Sequence, residues 1–234
     1  MKRYLVRLLF AVPILCWAVA ASAQAVVPPD TIAQRVQACT VCHGRQGRAT
    51  GEGYFPRIAG KPAGYLYNQL VNFREGRRQN RAMTQLIANM SDAYLMEIAG
   101  YFANLDLPYA PVSPSTAPSA ELERGRVLVV EGDAKLKVPA CVQCHGQKMT
   151  GVAPAVPGLL GLPKPYLLGQ FGAWRTSLRK ARSPDCMNEI GRRLSIEDLR
   201  AVVSYLSALP VPADSHPATS LPAPLPLECG SVAK

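Results

Sequence analysis

Cys39-Thr-Val-Cys42-His43-Gly44 and Cys141-Val-Gln-Cys144-His145-Gly146 place two of the chain's three histidines in the same five-residue frame, 102 positions apart. A Cys-x-x-Cys-His run is the attachment signature of c-type haem. The two thiols add across the haem vinyl groups and the histidine becomes the proximal iron ligand. A single copy would also fit a redox dithiol or half a zinc site. Two copies in matching surroundings point to two covalently attached haem c groups.

The surroundings do match. "FPRIAGKPAGYLYNQLVNFREGRR" (55–78) lies over "VPGLLGLPKPYLLGQFGAWRTSLR" (156–179), pairing Pro56 with Pro157, Gly60 with Gly161, Tyr65 with Tyr166 and Gln69 with Gln170. "MTQLIANMSDAYLMEIAGYFANL" (83–105) then lies over "MNEIGRRLSIEDLRAVVSYLSAL" (187–209). An internal repeat of this kind marks a duplicated domain. The expected divisions are a first domain over 24–106, an uncharged Pro/Ser/Ala-rich linker over 107–118, a second domain over 119–209, and a Pro-rich extended tail over 210–234.

Both halves read as helical. Asp30 or Thr31 can cap a short helix leading into the first motif, and Ser119 can cap "AELERGRVLVVEG". Ser91 precedes Leu95, Ile98, Phe102 and Leu105 at helical spacing, and Ser195 precedes Leu199, Val202, Val203 and Leu206, with Asp198 completing a capping-box pattern. Neither half shows an alternating strand pattern, so the predicted class is all-α. Each half is small for a purely apolar core, and a covalent haem would supply part of the missing buried surface.

A histidine-bound haem iron needs its sixth position accounted for. His216, the third histidine, falls in the tail. Met83 and Met187 occupy equivalent repeat positions, each eight residues before a capping serine, and a thioether opposite histidine raises the potential. The alternative is that these methionines fill core. Met90 and Met96 belong on or beside the next helix's apolar face, and Met149 belongs in a loop. Pro56 and Pro157 follow their histidines by 13 and 12 residues. Each either offers a carbonyl to the proximal imidazole N–H or simply shapes a loop.

The N-terminus, "MKRYLVRLLFAVPILCWAVAASAQA", has a basic start, an apolar run and Ala21-Ser22-Ala23, which reads as a secretory signal over 1–23. The net charge of +10 falls to +7 once Lys2, Arg3 and Arg7 are removed. That mild positive field suits an acidic protein face or an anionic membrane surface, peripheral membrane association included. No basic cluster is interleaved with base-stacking aromatics, so nucleic acid is set aside. Export together with covalent haem implies the periplasm. Arg74, Arg77, Arg78 and Arg81 read as an ordinary solvated helix end, with a docking surface as the alternative.

With these residues in place, the chain resembles dihaem cytochromes c of the cytochrome c4 type, from the first Cys-x-x-Cys-His-Gly to about Pro210. The matching elements are "FPRIAG", "YLYNQL", Met83 and "MSDAYLMEIAGYF", then "YLLGQF", Met187 and "LSIEDLRAVVSYL". The resemblance implies two tandem class I cytochrome c folds with histidine–methionine ligation: His43 with Met83, and His145 with Met187. It also favours the carbonyl role for Pro56 and Pro157. Family members move single electrons in the periplasm between a dehydrogenase or quinol-oxidising complex and a membrane respiratory acceptor such as an oxidase. Two features depart from the family pattern, the long tail and Cys186. In an oxidising compartment Cys186 and Cys229 invite a disulfide. The rival reading is an enzyme with Cys186 on the second iron, similar to thiosulfate dehydrogenases with a cysteine ligand. A third is a dedicated electron-accepting subunit of one dehydrogenase.

Overall fold

Side-chain caps start the helices where the sequence places small polar residues. Thr31 Oγ1 accepts from Gln34 N, Ser91 Oγ from Tyr94 N and Ser195 Oγ from Asp198 N, the last at 3.0 Å. The computed structural model describes residues 29–51 and 53–232; the signal-peptide reading of 1–23 lies outside them. In the first half the helices are α1 (Ile32–Arg35), α2 (Gln37–His43), α3 (Ala63–Arg74), α4 (Arg81–Ile87) and α5 (Asp92–Ala103). In the second they are α6 (Ser119–Val130), α7 (Val142–His145), α8 (Lys164–Arg175), α9 (Cys186–Arg193) and α10 (Ile196–Ala208). Ser119 is the first residue of α6 rather than its cap. Pro118 takes the cap position, where a residue without an N–H costs the helix nothing.

The first half buries Val36, Leu66, Ile98, Ala99 and Phe102 in one cluster and Val71, Phe73, Ile87 and Leu95 in another. The second half builds a single larger core around Leu128, Val129, Leu199, Val202, Val203 and Leu206. Met96 is 47% exposed, against the expectation of a core position, because it lies one residue round the helix from Leu95. Helices α6 and α10 cross so closely that a Cβ on Gly125 would sit 2.2 Å from Ala201 O. Both groups belong to helical backbone and neither yields cheaply. G125A is therefore expected to cost about 1–3 kcal/mol, read as a lowered midpoint in thermal unfolding. An unchanged midpoint would mean the crossing relaxes freely.

Two strands of two residues, β1 (Gly151–Val152) and β2 (Val156–Pro157), pair antiparallel after α7. They are too short for any alternation to show in sequence. The tail runs as extended chain beside them: Ala153 N donates to Ala218 O at 2.8 Å, and Ala218 N to Gly151 O at 2.9 Å. Val211 and Leu227 then pack on the second-half core. Asn68 of the first half donates to Ser231 O, so the tail touches both halves.

The halves meet through a mirrored set of bonds. Gln79 N donates to Leu178 O, and its repeat equivalent Lys180 N donates to Arg77 O, around an antiparallel bridge between Arg78 and Arg179. Arg78 reaches Gln170 Oε1 at 2.8 Å and Arg179 reaches Gln69 Oε1 at 3.1 Å. Arg78 also lies over the Phe73 ring at 4.6 Å, and Arg179 over the equivalent Trp174 ring at 3.9 Å. Each pair of equivalents differs by 101 in number, so the interface is a pseudo-twofold. No helix among the described residues is long and apolar enough to cross a membrane.

Candidate functional site

One cavity of about 700 Å³ is lined by both Cys-x-x-Cys-His motifs, by Met83 and Met187, and by apolar side chains from both halves. Gly44 and Gly146 end α2 and α7 at φ +75 and +82, turning the chain immediately after each histidine. The imidazoles are buried, at 9% and 6% exposure. His43 Nδ1 lies 2.9 Å from Pro56 O, and His145 Nδ1 lies 2.7 Å from Pro157 O. A ring that donates from Nδ1 presents its Nε2 lone pair to a metal. Burial lowers the proton affinity of both imidazoles, opposed by the proline carbonyls and assisted by Arg78 for His43 and Lys61 for His145. Both rings are thus held neutral and oriented, as metal ligation requires.

The four motif thiols are unpaired. Burial raises the Cys39 and Cys144 thiols, and pushes Cys141 up to about 12 with Cys144 adding to the effect. A redox dithiol works the other way, through a depressed thiol. Among the described residues no group of three or more His, Cys, Asp or Glu is placed to hold a metal ion.

Met83 and Met187 sit in the first turns of α4 and α9, half-buried. Asn80 caps α4 by accepting from Met83 N at 3.1 Å, and Asp185 caps α9 by accepting from Asn188 N at 3.1 Å. Equivalent arginines clamp the segments that follow: Arg74 Nη1 donates to Met90 O and Arg175 Nη1 to Leu194 O, both at 2.8 Å. Arg74 is therefore anchored rather than freely solvated, and Arg78 belongs to the interface between the halves. Met149 does lie in a loop, but it is buried in the second core at 3% exposure. Cys186 and Cys229 are joined as a disulfide across 5.2 Å between Cα atoms.

Two arginines on the cavity, Arg78 and Arg179, have no anionic partner among the described residues. Arg179 is 6% exposed, and its polar partners are neutral: Gln69, Gln170 and the Tyr65 hydroxyl. Arg78 bonds Gln69, Gln170 and the Tyr166 hydroxyl. Burial, then the neighbouring Arg78, holds Arg179 below the usual guanidinium range. Trp174 Nε1 is buried without a hydrogen-bond partner among the described residues. A buried and a half-buried guanidinium and an orphaned N–H on a cavity that also holds two neutral imidazoles call for a large apolar group bearing carboxylates, and haem with its propionates fits. The placement of Arg78, Arg179 and Trp174 on this cavity is not legible in the sequence, although the repeat alignment sets the two arginines opposite each other.

No family model matches the chain. A thiosulfate dehydrogenase electron acceptor from Thiomonas intermedia is 33% identical over 84% of this chain and 87% of its own. A cytochrome c4 from Pseudomonas aeruginosa is 31% identical over 73% of this chain and 83% of its own. Among solved structures, Acidithiobacillus ferrooxidans cytochrome c4 superposes with a TM-score of 0.62 at 27% identity, covering 74% of this chain and 99% of that one. The thiosulfate dehydrogenase TsdBA from Marichromatium purpuratum gives 0.63 at 31% identity over 74% of this chain, and this chain spans only 36% of it.

Proposed function

Because the chain belongs to the cytochrome c4 family of dihaem electron-transfer cytochromes, we propose that it is a periplasmic carrier that takes single electrons from a dehydrogenase and delivers them to a terminal acceptor such as an oxidase. The observation that carries this reading is the shared cavity. Both attachment motifs and both methionines face one apolar space between the halves. Bound haem supplies the one-electron chemistry. Cys39 and Cys42 hold one haem and Cys141 and Cys144 the other. His43 and Met83 would ligate the first iron, and His145 and Met187 the second. With a histidine and a methionine from the chain for each iron, a bound haem would have no position left for substrate.

The rest of the work is holding and shielding. Pro56 and Pro157 fix the imidazole tautomer, while Arg74 and Arg175 clamp the methionine-bearing segments. Arg78, Arg179 and Trp174 would meet the propionates of bound haem. Cys186 sits in the disulfide with Cys229 and has no thiolate to offer a metal, which counts against the rival enzyme.

The names of two relatives, from Thiomonas intermedia and Stutzerimonas stutzeri, support a thiosulfate dehydrogenase as the donor. Stopped-flow spectroscopy tests this. The oxidised protein is expected to stay oxidised with thiosulfate alone and to be reduced at both haems once a thiosulfate dehydrogenase is added. Reduction by thiosulfate alone would make the chain an enzyme. No reduction in either case would turn the search to another donor.

A further inference from the structure

Lys61 breaks the mirror between the halves. Its repeat equivalent is Leu162, and both are buried, at 5% and 8% exposure. An apolar side chain thus fills this place in the second half, and packing alone does not call for an ammonium in the first. Lys61 Nζ crosses the interface and donates to Gly158 O at 3.0 Å. Gly158 follows Pro157, whose carbonyl holds His145 Nδ1. The second half returns no such contact, since a leucine has no donor. A first-half cation is thereby set against the loop that orients the second-half histidine.

Among the described residues its neighbours leave that charge uncompensated. Arg57 comes from the same loop and is occupied with Ala59 O, Leu107 O, Pro108 O and the Tyr109 ring at 3.8 Å. Tyr109 lies 5.9 Å from Lys61 Nζ. Burial, then Arg57, pushes the Lys61 pKa down to about 7, and no carboxylate figures among the groups acting on it.

We propose that Lys61 is a positioning residue for the second haem, setting a cation against the loop that orients His145 so that this haem is reduced more readily than it would be otherwise. The proposal rests on the two-haem reading above. A cation near a redox centre disfavours its more positive, oxidised state. Two sites with the same ligand set are thereby made unequal, and the inequality is built from the partner half.

The test is a spectroelectrochemical titration of wild type, K61M, K61Q and K61R at pH 6, where the ammonium is charged. Haem content and near-infrared magnetic circular dichroism come first. A wild type without two methionine-ligated haems removes the two-haem reading, and the proposal with it. With that reading in place, M187A marks which step belongs to the second half. In K61M and K61Q the second-half reduction equilibrium is expected to fall on the order of tenfold, about 59 mV for a one-electron couple. The first-half step and both ligand sets stay unchanged, and K61R keeps the wild-type value. An unmoved second step, a shift confined to the first step, or the same fall in K61R would overturn the proposal.

Discussion

M187A is expected to lose half of the methionine–iron charge-transfer intensity in the near infrared and to drop one of the two reduction potentials by tenths of a volt. The direction follows from the ligand. A thioether opposite histidine favours ferrous iron, so its loss stabilises the oxidised state, within the roughly 0.8 V that axial ligands command. M83A should do the same to the other haem, and the double variant should abolish the band. Two further methionines make the experiment decisive. Met96, 47% exposed, should be spectroscopically silent when replaced by alanine. M149A empties a buried core position, so it should cost about 2–5 kcal/mol in stability while leaving the band intact. A band that survives in M187A would remove this residue from the iron.

That contrast between methionines also shows how far the sequence could be read. Met83 and Met187 stand out from the other methionines because the repeat aligns them, and duplication acts as an internal comparison that one domain lacks. The helices over 92–103 and 196–208 were legible because a capping serine and a buried stripe agree in each. Met149 was placed in its loop but its burial was not foreseen, since a loop carries no periodicity from which exposure can be read. The arginine pair was missed for a different reason. Arg78 and Arg179 follow a helix end, where charge ordinarily means solvent, and only the assembled interface shows each guanidinium lying over an aromatic ring between amides. Lys61 falls within the aligned repeat, yet its meaning lies in the partner half, which no local pattern reaches. Contacts between halves were the illegible part, and here they carry the charges.

Replacing Cys186 and Cys229 together by serine is expected to produce the second large effect, and it should fall on one half. The bridge closes residues 43 apart in sequence, and in the loop-entropy picture freeing such a loop costs roughly 4 kcal/mol. For a domain of this size that lowers the midpoint by on the order of 10 °C or more. The loss should be local, because the tail's anchors lie around the same site. Gly230 N donates to Pro184 O, Arg182 N to Ser231 Oγ, and Leu227 packs on the second core. Met187 follows Cys186 directly in the first turn of α9, so freeing the cysteine loosens the turn that carries the sulfur. Heating should therefore remove methionine ligation from the second haem well before the first, splitting the charge-transfer melt into two phases while wild type shows one. The serine variant is the right comparison, since a reductant able to open the disulfide would also reduce the haems. A single-phase melt at the wild-type midpoint would show that the tail's extended pairing at Ala218 and its apolar contacts hold it without the bridge.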